Sequence, residues 1–115
     1  MGADRTGRYD VVVTHSADLD LGEIFEYVAI RLQVPETAAK LVDRLYGALE
    51  PLADMPYRYP LSRDAFLAKQ GFRVIVVGNY LVFYVIDEAE KKVIVHRALY
   101  GKRNYRTLFA SDIGT

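Results

Sequence analysis

The side chains best suited to chemistry lie in the second half of this chain. Arg73, Tyr80, Tyr84, His96, Arg97 and Tyr100 fall within or beside apolar, β-branched stretches; Lys69 precedes them, and Lys102, Arg103, Tyr105 and Arg106 follow at once. Guanidinium forks grip phosphate oxygens bidentately and aromatic rings stack on bases, so arginines interleaved with tyrosines describe a surface for a polyanion. Charge agrees with position. The whole chain is neutral, yet residues 1–57 carry 5 basic and 10 acidic groups whereas residues 58–115 carry 10 basic and 5 acidic. The second half is therefore the candidate phosphate binder. His96 is of the residue type best suited to general acid–base work near neutral pH.

Other chemistries are excluded. With no cysteine there is no disulfide, thiolate metal site or cysteine nucleophile, which suits the reducing cytoplasm expected as its location. No Ser-His-Asp spacing or glycine-rich phosphate loop occurs, and His15 and His96 are too few for a metal site, so neither metal nor cofactor is expected. The longest near-apolar run, Val74 to Ile86, is broken by Gly78-Asn79 and falls short of the roughly 20 residues of a membrane helix. The candidate residues also have a structural reading. Tyr80 and Tyr84 suit cross-strand packing, His96 suits a strand residue with a satisfied hydrogen bond, and Arg97 suits pairing with a helix carboxylate such as Glu23 or Glu26.

The elements that must position these groups follow from periodicity. At 115 residues, half of them apolar, the chain has room for a single domain spanning 1–115, with flexible ends at 1–7 and 110–115. Tyr9 to Thr14 reads as a strand, with Ser16 as the cap of a helix from Ala17 to about Leu32. In that helix Leu21, Ile24, Phe25, Val28 and Leu32 recur at three- and four-residue spacing. Pro35 suits the first turn of a second helix, striped by Ala38, Leu41, Val42, Leu45 and Leu49 and ended by Pro51. After a loop marked by Pro56 and Pro60 the period becomes that of strands: 72–77, the two-residue turn Gly78-Asn79, 80–86, and 93–99.

The order βααβββ predicts an α+β fold: a two-helix hairpin on one face of a small, mostly antiparallel four-stranded sheet, with a polar C-terminal tail. Alternation puts Arg73, Ile75 and Val77 opposite Phe72, Val74 and Val76, and Tyr80, Val82 and Tyr84 opposite Leu81, Phe83 and Val85. If the helices cover the purely apolar set, Arg73, Tyr80 and Tyr84 project from an open face. The expected core is Leu21, Ile24, Val28, Leu41, Leu45, Val74, Val76, Leu81, Phe83 and Val85.

From Tyr9 to about Phe109 the sequence resembles the RelE/ParE superfamily, toxins of type II toxin–antitoxin and plasmid-stabilisation systems. The resemblance is carried by the order and spacing of Asp18 to Tyr27, Met55-Pro56, Tyr59-Pro60-Leu61, Gly71-Phe72-Arg73, Asn79 to Asp87 and His96 to Tyr105. It implies a cognate antitoxin as partner, an extended segment expected to bear acidic residues. It also implies one of two targets, since the superfamily divides between ribosome-dependent messenger RNA cleavage and inhibition of DNA gyrase. Cleavage, taken as the first expectation, proceeds without metal by attack of a ribose 2′-hydroxyl on the adjacent phosphate, with ribosome and messenger RNA as partners. For that activity the resemblance implies Arg73, Tyr80, His96, Arg103 and Tyr105 as catalytic, and Lys69, Arg97, Lys102 and Arg106 as RNA- or phosphate-binding. Tyr80 stands where RelE has arginine, and Tyr100 where many relatives have histidine. A straight alignment puts Phe109, rather than Tyr105, at the family's C-terminal tyrosine. Gyrase inhibition, or a domain that now only binds its antitoxin, are the alternatives.

Overall fold

The computed structural model describes residues 8–102. The ends expected to be flexible, 1–7 and 110–115, and the candidate residues Arg103, Tyr105 and Arg106 lie outside the described residues. Strand β1 (Asp10–Val13) leads directly into helix α1 (His15–Glu26). The helix starts two residues before the expected Ala17 because Thr14, not Ser16, is its cap: the Thr14 hydroxyl accepts the Ala17 N–H at 3.1 Å and donates to the His96 carbonyl at 3.1 Å. One hydroxyl thus satisfies an orphan helix donor and ties the strand–helix corner to the far side of the chain.

Helix α1 runs on into a wider, π-helical turn, Tyr27–Arg31, and the chain reverses through Gln33 in the left-handed region at φ 59°. Helix α2 (Pro35–Gly47) starts at its proline, as expected. Two short 3₁₀ turns, Glu50–Ala53 and Pro56–Arg58, carry the chain to a short helix, α3 (Ala65–Lys69), which periodicity had left inside a loop. Its cap is Asp64, whose carboxylate accepts the Leu67 N–H at 3.1 Å. Strands β2 (Arg73–Val77), β3 (Tyr80–Asp87) and β4 (Lys92–Tyr100) follow, with Gly78 at φ 59° in the two-residue hairpin turn.

The sheet order is β1-β4-β3-β2, with β1 parallel to β4 and the other pairs antiparallel. The expected α+β architecture is therefore present. Phe83 pairs with Arg97 and Tyr84 with Val95, so His96 is the extra residue of a bulge in β4. Bulges re-aim side chains and sharpen the local twist.

The helices cover the other face from the one that alternation pointed to. The main core joins Ala17, Leu21, Ile24, Leu45 and Leu49 to Ile75, Val77, Val82, Tyr84, Val93, Val95 and Ala98. The set expected beneath the helices faces away from them: Phe72 and Phe83 are buried there, together with Leu99, against Leu67 of α3, while Val74, Leu81 and Val85 are half-buried. Val76 is 68% exposed, so it is no core residue. Leu21, Ile24, Val28 and Leu45 are buried as expected, and Leu41 is half-buried.

The reason for the inversion lies in two polar tips. Tyr84 is fully buried, and its hydroxyl donates to the Pro56 carbonyl at 2.6 Å. Arg73 donates to the Tyr59 carbonyl at 2.6 Å. With those partners supplied by the loop, a tyrosine ring buries on the helix face at the full hydrophobic gain and without an orphaned hydroxyl.

Candidate functional site

Arg73 opens β2 directly across from Tyr84. Its guanidinium carbon sits 5.0 Å from the centroid of the Tyr57 ring, within cation–π range. Beside it, Arg58 lies 5.6 Å from the Tyr59 ring. Tyr57 is itself held, its hydroxyl donating to the Glu88 carboxylate in the β3–β4 turn. Tyr9 donates to both Glu88 oxygens at 2.8 and 3.0 Å, and Lys91 donates to Glu88 at 3.3 Å while lying 4.8 Å from the Tyr9 ring centre.

The hydrogen bond from Tyr57, with that from Tyr9 and the charge of Lys91, keeps the Glu88 carboxyl below its ordinary pKa. The same Glu88 bond raises the Tyr57 phenol. Burial pushes Tyr84 up, against the pull of the Arg73 charge. These contacts form a clasp that holds Tyr57 and Tyr59 over Arg73.

Arg97 meets a different fate. Its Nε–H and an Nη2–H donate to the two oxygens of Asp20 at 2.7 and 2.9 Å, and Asp20 also accepts the Ala98 N–H at 3.0 Å. The pair is largely buried, with side-chain exposures of 14% and 7%. The partner is thus Asp20 on the inward side of α1, not Glu23 or Glu26. His96, displaced by the bulge, packs edge-on against Phe72 at 5.2 Å between ring centres.

Between α1 and the β3–β4 end of the sheet runs an open groove of about 620 Å³. Tyr27, Ile24 and Leu32 form one wall and Tyr80, Tyr100 and Asn79 the other, with Glu23 at the rim. The Tyr80 and Tyr100 rings meet edge to face at 5.8 Å, as expected for cross-strand partners. Burial raises the Tyr80 phenol, so it stays neutral at physiological pH.

Arg73 and Tyr80 share the helix-covered face but stand at opposite ends of the hairpin, four strand positions or roughly 13 Å apart. His96 packs on Phe72 of the opposite face. Lys69, at the end of α3, and Lys102, after β4, are exposed. The described candidates are therefore not gathered into one cluster. Among the described residues no three His, Asp or Glu side chains are placed to hold a metal ion, and no helix is long and apolar enough to cross a membrane.

Tyr9, Tyr57, Glu88 and the groove residue Tyr27 had escaped sequence reasoning as site residues, and Glu23 had been read only as a partner for Arg97. Only the run Tyr57-Arg58-Tyr59, itself an alternation of aromatic and basic groups, carried a readable signal.

Comparison with known proteins accords with this architecture. Residues 11–105 match the family model described as the ParE toxin of the type II toxin-antitoxin system, parDE. A structure of the chromosomal ParDE TA system from P. aeruginosa superposes with a TM-score of 0.67 at 19% identity, covering 82% of this chain and 97% of that one. The toxin-antitoxin complex RelBE2 from Mycobacterium tuberculosis superposes with a TM-score of 0.54 at 26% identity, covering 81% and 91%. No curated protein matches the chain by sequence. A family model spanning α1, α2 and the whole sheet, on a fold of the kind that its resemblance implied, settles the family: the chain belongs to the ParE toxins of type II toxin–antitoxin systems.

Proposed function

We propose that this chain is a toxin that acts by binding, as an inhibitor of DNA gyrase restrained by a cognate antitoxin, and not as a messenger RNA-cleaving enzyme. The observation that carries the reading is that, among the described residues, Arg73, His96 and Arg97 are engaged in contacts within the fold. Cleavage needs a cation placed at the phosphate and a proton acceptor within about 3 Å of the attacking hydroxyl. Arg97 is instead held side-on by Asp20 through its Nε–H and an Nη2–H, Arg73 is clasped between the Tyr59 carbonyl and the Tyr57 ring, and His96 packs on the opposite face. The match to the ParE model supports the same choice, and the ParDE and RelBE2 neighbours support an antitoxin partner.

Two assays on the same expressed protein test this. Gyrase supercoiling should fall with added protein, while primer extension on messenger RNA from arrested cells should show full-length transcripts. Transcripts cut within translated frames, with supercoiling intact, would establish the ribonuclease reading in its place. Neither effect would leave a domain that only binds its antitoxin.

A further inference from the structure

The groove between α1 and the β3–β4 end has a chemistry opposite to the one expected of the partner-binding surface. Three tyrosines, Tyr27, Tyr80 and Tyr100, line it, and the carboxylates facing it are Asp20 and Glu23. Asp20 is neutralised by Arg97. The Glu23 carboxylate has no hydrogen bond or ion pair among the described residues, and it is solvent-accessible. Further along α1, Glu26 is exposed and likewise unpaired among the described residues. Aromatic faces with an unsatisfied carboxylate at the rim form a cation receptor, since ring quadrupoles and the anion attract the same ligand. Tyr27 already shows the preference within the chain: Arg31 lies 6.0 Å from its ring centre. Ile24 and Leu32 add apolar wall on which a long side chain can lay its methylenes.

We propose that this groove is a docking site for a basic, apolar segment of a partner protein, anchored by one arginine or lysine side chain between the tyrosines and paired to Glu23. Charge complementarity selects the occupant: an acidic segment would bring a like charge to Glu23 and Glu26 in a partly desolvated cleft. The proposal rests on the toxin reading only in that such a toxin meets a protein partner, and it reverses the acidic character expected for that partner's segment at this site.

The test uses the isotope-labelled full chain, observed by amide chemical shifts as capped tripeptides are added. Leucine–arginine–leucine amide should give saturable shifts at Glu23, Tyr27, Tyr80 and Tyr100. The isosteric citrulline peptide should bind about tenfold more weakly, as should the arginine peptide with the Glu23→Gln protein, the scale set by losing a charged contact. The Glu23 side chain makes no hydrogen bond or ion pair among the described residues, so Glu23→Gln should keep the fold; Tyr100→Leu, which removes a ring face, should weaken binding too. Equal binding of the citrulline peptide, tighter binding of the corresponding glutamate peptide, shifts confined to other surfaces, or no shifts at all would each overturn the proposal. Supercoiling inhibition by the same samples separates the two ideas. Its presence without peptide binding sinks the groove proposal alone, and its absence with peptide binding sinks the gyrase reading alone.

Discussion

Asp20 and Arg97 form the bond between the first helix and the centre of the sheet: both carboxylate oxygens are used by one guanidinium, and one of them also takes the Ala98 N–H. Burial makes this pair more important to keep whole than to have. Removing one member strands a charge in a nearly dry site at about 3–5 kcal/mol, whereas replacing both with apolar groups of similar volume is often neutral. Asp20→Ala should therefore lower the unfolding free energy, read from urea titration, by an amount in that range, and Asp20→Leu combined with Arg97→Met should recover most of the loss. A single variant that unfolds at the wild-type urea concentration would show the pair to be dispensable.

Tyr84→Phe isolates the second buried polar contact. The ring stays and the hydroxyl goes, leaving the Pro56 carbonyl without its 2.6 Å donor. The expected cost is about 1–3 kcal/mol, read as a lowered thermal midpoint, with a visibly looser 56–59 segment in hydrogen exchange. Unchanged exchange at Tyr57 and Arg58 would mean that the loop is held by other contacts.

The Glu88 clasp gives the protein an acid-sensitive corner. Because the Glu88 carboxyl titrates below its ordinary value in the folded state, the unfolded chain binds the proton more readily and stability rises with pH across that window. The contribution is complete above the ordinary glutamate pKa and is lost as pH falls through the lower, folded one. Glu88→Gln should flatten the stability–pH curve in this acid range and lower the plateau around neutral pH, so that the two proteins converge only as pH falls through the folded-state pKa. A wild-type curve that is already flat there would refute the clasp as an energetic link.

Substitution of the described basic candidates should separate stability from toxicity. His96→Ala and Lys69→Ala should arrest growth as fully as the wild type, because neither is needed for a binding inhibitor. Arg73→Ala should loosen the 56–59 segment yet still inhibit supercoiling in proportion to folded protein. A loss of toxicity of 100-fold or so in His96→Ala, the scale of removing a catalytic group, with folding intact, would instead favour the ribonuclease.

What the sequence determined by itself is what local periodicity encodes. The helical stripe from Leu21 to Val28, Pro35 at the start of the second helix, the Gly78-Asn79 turn and the β-branched strands each depend on neighbours a few residues away, and so the order βααβββ was legible. Helix α3 was not, because five residues hold little more than one turn; the trace it left was Asp64 as a cap before Ala65-Phe66-Leu67. The choice of sheet face was not legible either. Both sets of alternating residues are apolar enough to be buried, and the decision fell to the Pro56 and Tyr59 carbonyls, which reach Tyr84 and Arg73 from 28 and 14 residues away. Likewise the sequence offers Arg97 several carboxylates on one helix, and only the rotation of that helix on the sheet brings Asp20 inward and leaves Glu23 at the rim of the groove. Contacts of long sequence separation are set by how whole elements pack, and that is a property of the tertiary structure alone.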